Sequence, residues 1–348
     1  MASPAPQPQS LQSLLQSLGL PDDTRAALRD SVIPSILQCI SAIAQALQTA
    51  HHVSLAGTAN AFGDDQLNVD VIAEDLVRAA LANCPSVRVA SSEEDPTERP
   101  VHSASTPPPG PSAAERYTVA FDPLDGSSII APNWTVGTII GIWDGESALL
   151  QSPATKQIAA VLGVYGPRTT AIVAVRVPGA EPACFEVGLN TTSNNNLSDT
   201  CTVIRPRLRL AEETTVTPPR TRYFAPANLR AAAEDARYMA LVAHYIRSKY
   251  TLRYSGGLVP DVVHALVKGH GVYLSPVTGA SKAKLRRLYE LCPLALVVEC
   301  AGGRAVDPAD GRDILERSAE DCDERGGLVC GTAGEVEVAM RMLLGLEN

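Results

Sequence analysis

Aromatic residues make up only 4% of this 348-residue chain. Aliphatic side chains must therefore do most of the packing, and a base-stacking surface is excluded as the main mode of binding. Positive charge is also in short supply. There are 29 Lys and Arg against 38 Asp and Glu, a formal net charge of −9. A nucleic acid would be repelled on average, so none is expected as a partner. The eight cysteines (Cys39, Cys84, Cys184, Cys201, Cys292, Cys300, Cys322 and Cys330) form no CxxC pair and no zinc-knuckle spacing. They read as reduced, mostly buried thiols. The first basic residue is Arg25, so a charged signal region and an Arg-rich transit pattern are missing, and the expected location is cytoplasmic. Residues 31–50 carry no charge but contain Ser, Gln, Thr and Pro34. Ile33, Ile36, Leu37, Ile40, Ile43 and Leu47 recur at helical spacing, which predicts an amphipathic core helix over 24–50 and no membrane partner. There is no internal repeat and no GxGxxG.

The composition is 45% hydrophobic, enough for two closely packed domains. Residues 1–20 read as a flexible leader, and the Pro- and Ser-rich stretch 95–115 as a mobile insertion. Strands are expected at 87–90, 117–121, 135–143, 158–166, 170–177, 294–299 and 327–331. Helices are expected at 66–83, 234–249, 262–269, 280–291 and 334–345. Residues 190–200 read as a polar loop. The pattern is α/β without a strict βαβ repeat.

The most informative run is Phe121-Asp122-Pro123-Leu124-Asp125-Gly126-Ser127-Ser128. Pro123 holds Asp122 extended, and Gly126 permits a tight turn. Asp122 and Asp125 can then face one point. Hard oxygen ligands there suit Mg²⁺ or Mn²⁺ rather than zinc. Beyond the turn, the amides and hydroxyls of Ser127 and Ser128 can hold a phosphate. Asp-Pro and Asp-Gly are ordinary turn dipeptides singly, and only the complete run is specific. Two further acidic groups stand upstream: Asp64 and Asp65, with Asp70 and Glu74 one helical turn apart, and Glu93-Glu94-Asp95. Each alone reads as a solvated charge run. No constellation for a nucleophilic Cys or His is visible, and the six histidines read as structural.

DPLDGSS resembles the signature of the fructose-1,6-bisphosphatase family. The longer runs FDPLDGSSIIAPNWTVGTIIGIWDG, YTLRYSGGLVPDVVHALVKGHGVYL (250–274) and KAKLRRLYELCPLALVVECAGG (282–303) are similar to its sedoheptulose-1,7-bisphosphatase branch, and the likeness spans residues 24–345. It implies a layered α-β-α-β-α fold. An N-terminal metal-binding domain (1–205) would carry a mostly antiparallel sheet, and a C-terminal domain (206–348) a mixed sheet and the distal phosphate. It implies Mg²⁺, or Mn²⁺, two or three per subunit. By resemblance Glu93, Asp122, Asp125 and Glu290 are metal-binding carboxylates, the Leu124 carbonyl is a further ligand, and Asp64 belongs to an additional metal and a mobile loop. Asp70 and Glu94 match the pair that orients and deprotonates water. Gly126, Ser127 and Ser128 match the holder of the cleaved phosphate. Asn228, Tyr254 and Lys284 match the holders of the distal one, and Arg253 an arginine that reaches it from a neighbouring subunit. That implies a homodimer or homotetramer acting on a sugar bisphosphate.

Ala231 and Ser275 stand where the six-carbon enzymes carry tyrosines, which favours the seven-carbon substrate, with Arg230 available to supply charge. A fructose-1,6-bisphosphatase or dual-specificity enzyme is the alternative. A silent sugar-phosphate sensor is a further one, but no metal carboxylate is lost. The N-terminal helix lacks the threonines of the family's AMP site, although Arg116-Tyr117 resembles its Lys-Tyr pair, so AMP inhibition is not expected. On the predicted helix 280–291, Lys284 and Glu290 would stand about 9 Å apart along the axis. Lys282, Arg286 and Arg287 beside them read as a basic surface run.

Overall fold

In the computed structural model the described residues are 10–18, 25–59, 65–102, 115–190, 201–210, 221–278 and 282–346. Asp64, most of the leader, residues 103–114 of the insertion and 191–200 of the polar loop lie outside them.

Valine- and isoleucine-rich segments pair into two sheets. The first has eight strands: β3 (Val87–Ser92), β4 (Arg99–Pro100), β5 (Tyr117–Asp125), β6 (Val136–Asp144), β7 (Gln157–Tyr165), β8 (Thr169–Val175), β9 (Ala183–Leu189) and β10 (Cys201–Arg205). Their order is β10-β9-β8-β7-β6-β5-β3-β4, and only the β3–β5 pair is parallel. The second sheet takes β11 (Tyr223–Pro226), β12 (Thr251–Leu252), β13 (Val272–Ser275), β15 (Arg304–Val306) and β17 (Leu328–Gly331) in the order β12-β11-β13-β17-β15. It is mixed: β11 runs parallel to β12 and β13, and β17 antiparallel to β13 and β15. Two small ribbons complete the strands, β1 (Leu55–Ala59) with β2 (Asp65–Leu67) and β14 (Leu285–Arg286) with β16 (Arg325–Gly326).

Both faces of the large sheet are covered, so its strands are apolar at nearly every position. Ala171, Val173 and Val175 of β8 pack to one side with Ile33, Ile36 and Ile40. Ile172 and Ala174 pack to the other with Leu294, Ala295 and Val298. Helices Ile33–Thr49 and Asn68–Ala82 form the outer layer on the first side, while Leu258–Lys268 and Cys292–Cys300 lie between the sheets. Helices Ala236–Arg247 and Ala333–Leu344 close the far side of the second sheet over Phe224, Val272 and Val329. The layering is α-β-α-β-α. The helical stretch Leu28–Thr49 is long and apolar enough to cross a membrane, yet Ile33, Ile36, Leu37, Ile40 and Ile43 are each at most 1% exposed. All eight cysteines are free, and all but Cys322 are buried.

Several expectations are overturned. Residues 294–299 are helical. They belong to Cys292–Cys300, whose apolar positions are buried all round and so leave no period to read. Residues 280–291 are not one helix: Leu285–Arg286 pair as a strand, and a wide turn, Arg287–Leu291, follows. Leu11–Ser17, within the supposed leader, is a helix capped by Ser10, with Leu11, Leu14 and Leu15 buried. The near part of the supposed insertion is fixed to the large sheet. Pro100 and Arg99 pair with Val89 and Ala90, and Glu98 accepts from the Ala148 (2.7 Å) and Leu149 (3.2 Å) amides.

Candidate active site

In a regular strand, residues three apart point to opposite faces. Asp122 and Asp125 escape this because β5 carries a bulge: Asp122 pairs with Ile139 and Asp125 with Gly137, three steps against two. The extra residue turns both carboxylates to one side. Thr138 holds the bulge by donating to the Pro123 carbonyl at 2.7 Å, and the Leu124 amide donates to Asp122 at 3.0 Å. Gly126 follows at φ +95°, a left-handed turn that leads into the 3₁₀ turn Ser127–Ile129.

Asp125 is held from across the molecule. Its Oδ1 accepts from the Leu258 amide at 3.3 Å and its Oδ2 from the Val259 amide at 2.7 Å, at the start of helix Leu258–Lys268. A helix N-terminus favours an anion there. Gly137 makes the approach possible, because a Cβ at that position would lie 2.5 Å from Val259 Cβ. Glu290, in the turn after β14, accepts from the Arg286 amide. Carboxylate oxygens of Asp122, Asp125 and Glu290 lie within 4.8 Å of one another, all three residues being buried.

Three buried like charges are costly without a cation. Burial, and then the charges of Glu93 and Asp125, hold the Asp122 carboxyl well above its ordinary range. Burial, and then Glu93, do the same to Glu290. Burial pushes Asp125 up to about 6. An all-oxygen, acidic, enclosed donor set of this kind fits a hard divalent cation. Glu93 stands beside the trio rather than in it. Its amide donates to Phe121 O at 3.0 Å, prolonging the β3–β5 pairing, while its carboxylate pairs with Arg286.

Asp70 is buried at the start of helix Asn68–Ala82, where it accepts from the Leu67 amide at 2.9 Å. Burial raises its pKa above the ordinary carboxylate range. The Ser127 hydroxyl lies 3.2 Å from Asp70 Oδ1 and 3.3 Å from the Leu124 carbonyl, so three residues singled out from the sequence meet at one oxygen. Glu94 accepts from the Gln66 side chain.

A cleft of about 490 Å³ opens beside the trio. Asp125 and Ser128 line it. So do Asn228, Arg230, Tyr254, Ser275, Lys282 and Lys284. Asn228 adopts φ 54° and donates to the Pro276 carbonyl at 3.3 Å. Arg253 does not line this cleft; its guanidinium lies 5.7 Å from the Tyr223 ring centroid and donates to the Leu252 carbonyl. Ala231 does not line it either. It is buried behind, in a cluster with Tyr238, so the two tyrosine replacements are not equivalent and Ser275 alone leaves room in the cleft. Lys284 sits ahead of β14 and not on a helix, so a helical spacing from Glu290 does not apply.

Sequence reasoning missed the roles of three basic neighbours. Lys282 enters the cleft beside Lys284, and alternation along the extended segment 282–284 is the signal that could have found it. Arg286 and Arg287 are buried rather than a surface run. Arg286 meets Glu93, and Arg287 meets Glu324 at 2.9 Å and Asp307 at 3.7 Å.

Two stacked sheets, a buried carboxylate trio and a cleft lined by arginine and lysine side chains fit a metal-assisted enzyme for an anionic substrate. The chain belongs to the fructose-1,6-bisphosphatase family: the family's N-terminal domain matches residues 21–190 and its C-terminal domain residues 217–344. Members hydrolyse sugar bisphosphates and are generally metal-dependent. The chloroplastic sedoheptulose-1,7-bisphosphatase of Chlamydomonas reinhardtii is 36% identical over 310 residues, 87% of this chain and 72% of that one. The class 1 fructose-1,6-bisphosphatase of Syntrophotalea carbinolica is 34% identical over 297 residues, 84% of this chain and 82% of that one. A crystal structure from Toxoplasma gondii, provisionally named a sedoheptulose-1,7 bisphosphatase, superposes with TM-score 0.81 at 34% identity, covering 97% of this chain and 99% of that one.

Proposed function

We propose that the protein hydrolyses the 1-phosphate of sedoheptulose 1,7-bisphosphate, giving sedoheptulose 7-phosphate and inorganic phosphate. The observation that carries this reading is the cleft, which Asp125 of the carboxylate trio lines together with Arg230, Lys282 and Lys284. Like-charged substrate and carboxylates come together only with cations between them. Asp122, Asp125 and Glu290, with Glu93 and the Leu124 carbonyl adjoining, would hold two or three Mg²⁺ or Mn²⁺. Such ions, when bound, neutralise phosphoryl oxygens and acidify water. Ser127 and Ser128 hold the phosphate to be cleaved. Asp70 and Glu94 orient the attacking water and take its proton. The water oxygen bonds to phosphorus as the bond from phosphorus to the C1 oxygen breaks, and that oxygen leaves with a proton. A loose in-line transition state needs this positioning more than covalent help. Asn228, Arg230, Tyr254 and Lys284 grip the distal phosphate, the guanidinium and ammonium groups through charge-assisted hydrogen bonds.

Ser275 supports the longer sugar by leaving the distal end open. The similarity to class 1 fructose-1,6-bisphosphatases favours a second reading, in which both sugars are substrates. We further propose a homodimer or homotetramer with Arg253 near a subunit boundary; a monomer that keeps full activity at high dilution would overturn this. The test of function is phosphate release from both bisphosphates, with and without chelator. Higher kcat/KM for sedoheptulose 1,7-bisphosphate is expected. A wide preference for fructose 1,6-bisphosphate would overturn the substrate, and full turnover after exhaustive chelation would overturn the metal chemistry.

A further inference from the structure

Asp70 and Glu94 stand on separate elements. Asp70 is on helix Asn68–Ala82, and Glu94 is on the turn that follows β3. One helical turn beyond Asp70, about 6 Å along the axis, Glu74 joins the two elements. Its Oε1 accepts from the Ser92 hydroxyl at 2.9 Å and from Arg78 Nε at 2.5 Å. Ser92, fully buried, anchors the turn: its hydroxyl oxygen accepts from the Asp95 amide at 2.9 Å, and its own amide donates to the Asp95 carbonyl at 3.1 Å. Arg78 reaches the Asp95 carboxylate at 3.5 Å and lies 5.8 Å from the Phe121 ring centroid. Glu93 and Glu94 are therefore the middle of a loop whose two ends, Ser92 and Asp95, are bound to each other and to the helix.

We propose that Glu74 is a positioning residue for the hydrolysis, fixing the helix that carries Asp70 against the turn that carries Glu94. This rests on reading Asp70 and Glu94 as the pair that handles the attacking water. The side chain of Glu74 is only 12% exposed, and its Oε2 has no hydrogen-bond partner among the described residues. A half-satisfied buried carboxylate is an expensive way to pack a helix, and an apolar side chain would do that better. What the carboxylate adds is direction: one oxygen fixes a hydroxyl on the turn and a guanidinium that spans both elements. Misplacement of reacting groups by about 1 Å can cost 100-fold in rate.

The test compares Glu74→Ala, Glu74→Gln, Ser92→Ala, Asp70→Asn and the double variant Asp70→Asn/Glu74→Ala in the full chain with saturating Mg²⁺. Glu74→Ala is expected to lower kcat roughly 10- to 100-fold with KM changed less than about twofold, the signature of lost transition-state positioning. Glu74→Gln should keep most of kcat, because the amide oxygen still accepts from Ser92. Ser92→Ala should behave like Glu74→Ala, and adding Glu74→Ala to Asp70→Asn should cost nothing further. If Asp70→Asn is inactive while Glu74→Ala and Ser92→Ala keep full kcat, the proposal is overturned and the reading of the water-handling pair stands. A full additional loss in the double variant overturns it too. If Asp70→Asn keeps full activity, the reading fails and the proposal falls with it. Should Glu74→Ala not fold, Ser92→Ala and Glu74→Gln decide alone.

Discussion

Removing metal should make the stability of this protein fall as pH rises, and supplying metal should flatten that fall. Asp125 has its pKa lifted from 3.8 to about 6 by burial, so the folded state holds a proton that the unfolded chain has already released. Stability declines wherever the native state binds more protons than the unfolded one. Below pH 3.8 both states are protonated and the penalty is absent. It grows through the window from about 4 to about 6 and is complete near pH 7, at about 3 kcal/mol for this lift. Asp122 and Glu290 are shifted in the same direction and extend the slope upward. A bound divalent cation compensates the charged forms and competes with protons, so it removes the slope and binds more tightly as pH rises. His264, whose pKa burial lowers, contributes the opposite slope, but equally in both conditions. The informative quantity is therefore a difference. Urea unfolding is measured from pH 5 to 8 at fixed ionic strength, once with chelator and once with saturating Mg²⁺. The gap between the two curves should widen by about 1.4 kcal/mol across that range from Asp125 alone, since about half of its penalty is already present at pH 5, and Asp122 and Glu290 act in the same direction. A pH-independent gap would refute the reasoning.

Asp122→Asn should cut kcat at least about 100-fold, as loss of a preorganised electrostatic group does elsewhere. It should also stabilise the chelated protein at pH 8, which denaturation of the same sample would show; near-normal kcat would contradict the assignment. Ser275→Tyr should raise KM for sedoheptulose 1,7-bisphosphate more than for fructose 1,6-bisphosphate, read from paired kinetics, since Ser275 lines the cleft. AMP at millimolar levels should leave the rate unchanged. The Glu115 carboxylate already accepts from the Ala27 (3.0 Å) and Leu28 (3.3 Å) amides near the start of the first long helix, and dose-dependent inhibition would count against this.

Most of the fold was legible where the chain alternates or repeats at helical spacing. Five strands of the large sheet, β3 and β5 to β8, and helices Asn68–Ala82, Ala236–Arg247 and Ala333–Leu344 fall close to where side-chain pattern puts them, whereas β4, β9 and β10 were not expected. It was illegible where burial is complete. Leu294–Val298 has no polar face, so strand and helix look alike from the residues alone. The Asp-Pro-Leu-Asp-Gly run disclosed its turn but not its bulge, although the bulge is what brings Asp122 and Asp125 to one side. The distal end was partly legible: Asn228, Arg230, Tyr254 and Lys284 do share a cleft. The burial of Ala231, Arg286 and Arg287 depends on neighbours far away in sequence, such as Glu93 and Glu324, and local pattern carries no trace of them.

The grip of the Leu258 and Val259 amides on Asp125 also bears on the order in which this molecule becomes competent. Asp125 is made early in the chain, on the large sheet, but its carboxylate is aimed by a helix more than 130 residues later. Glu290 arrives later still. Neither sheet, folded alone, holds the complete carboxylate trio. Only the docking of the second sheet's helices onto the first completes it, so a nascent or half-folded chain offers scattered carboxylates instead of a chelate. An ion held by the three carboxylates would act as a bolt between the two sheets.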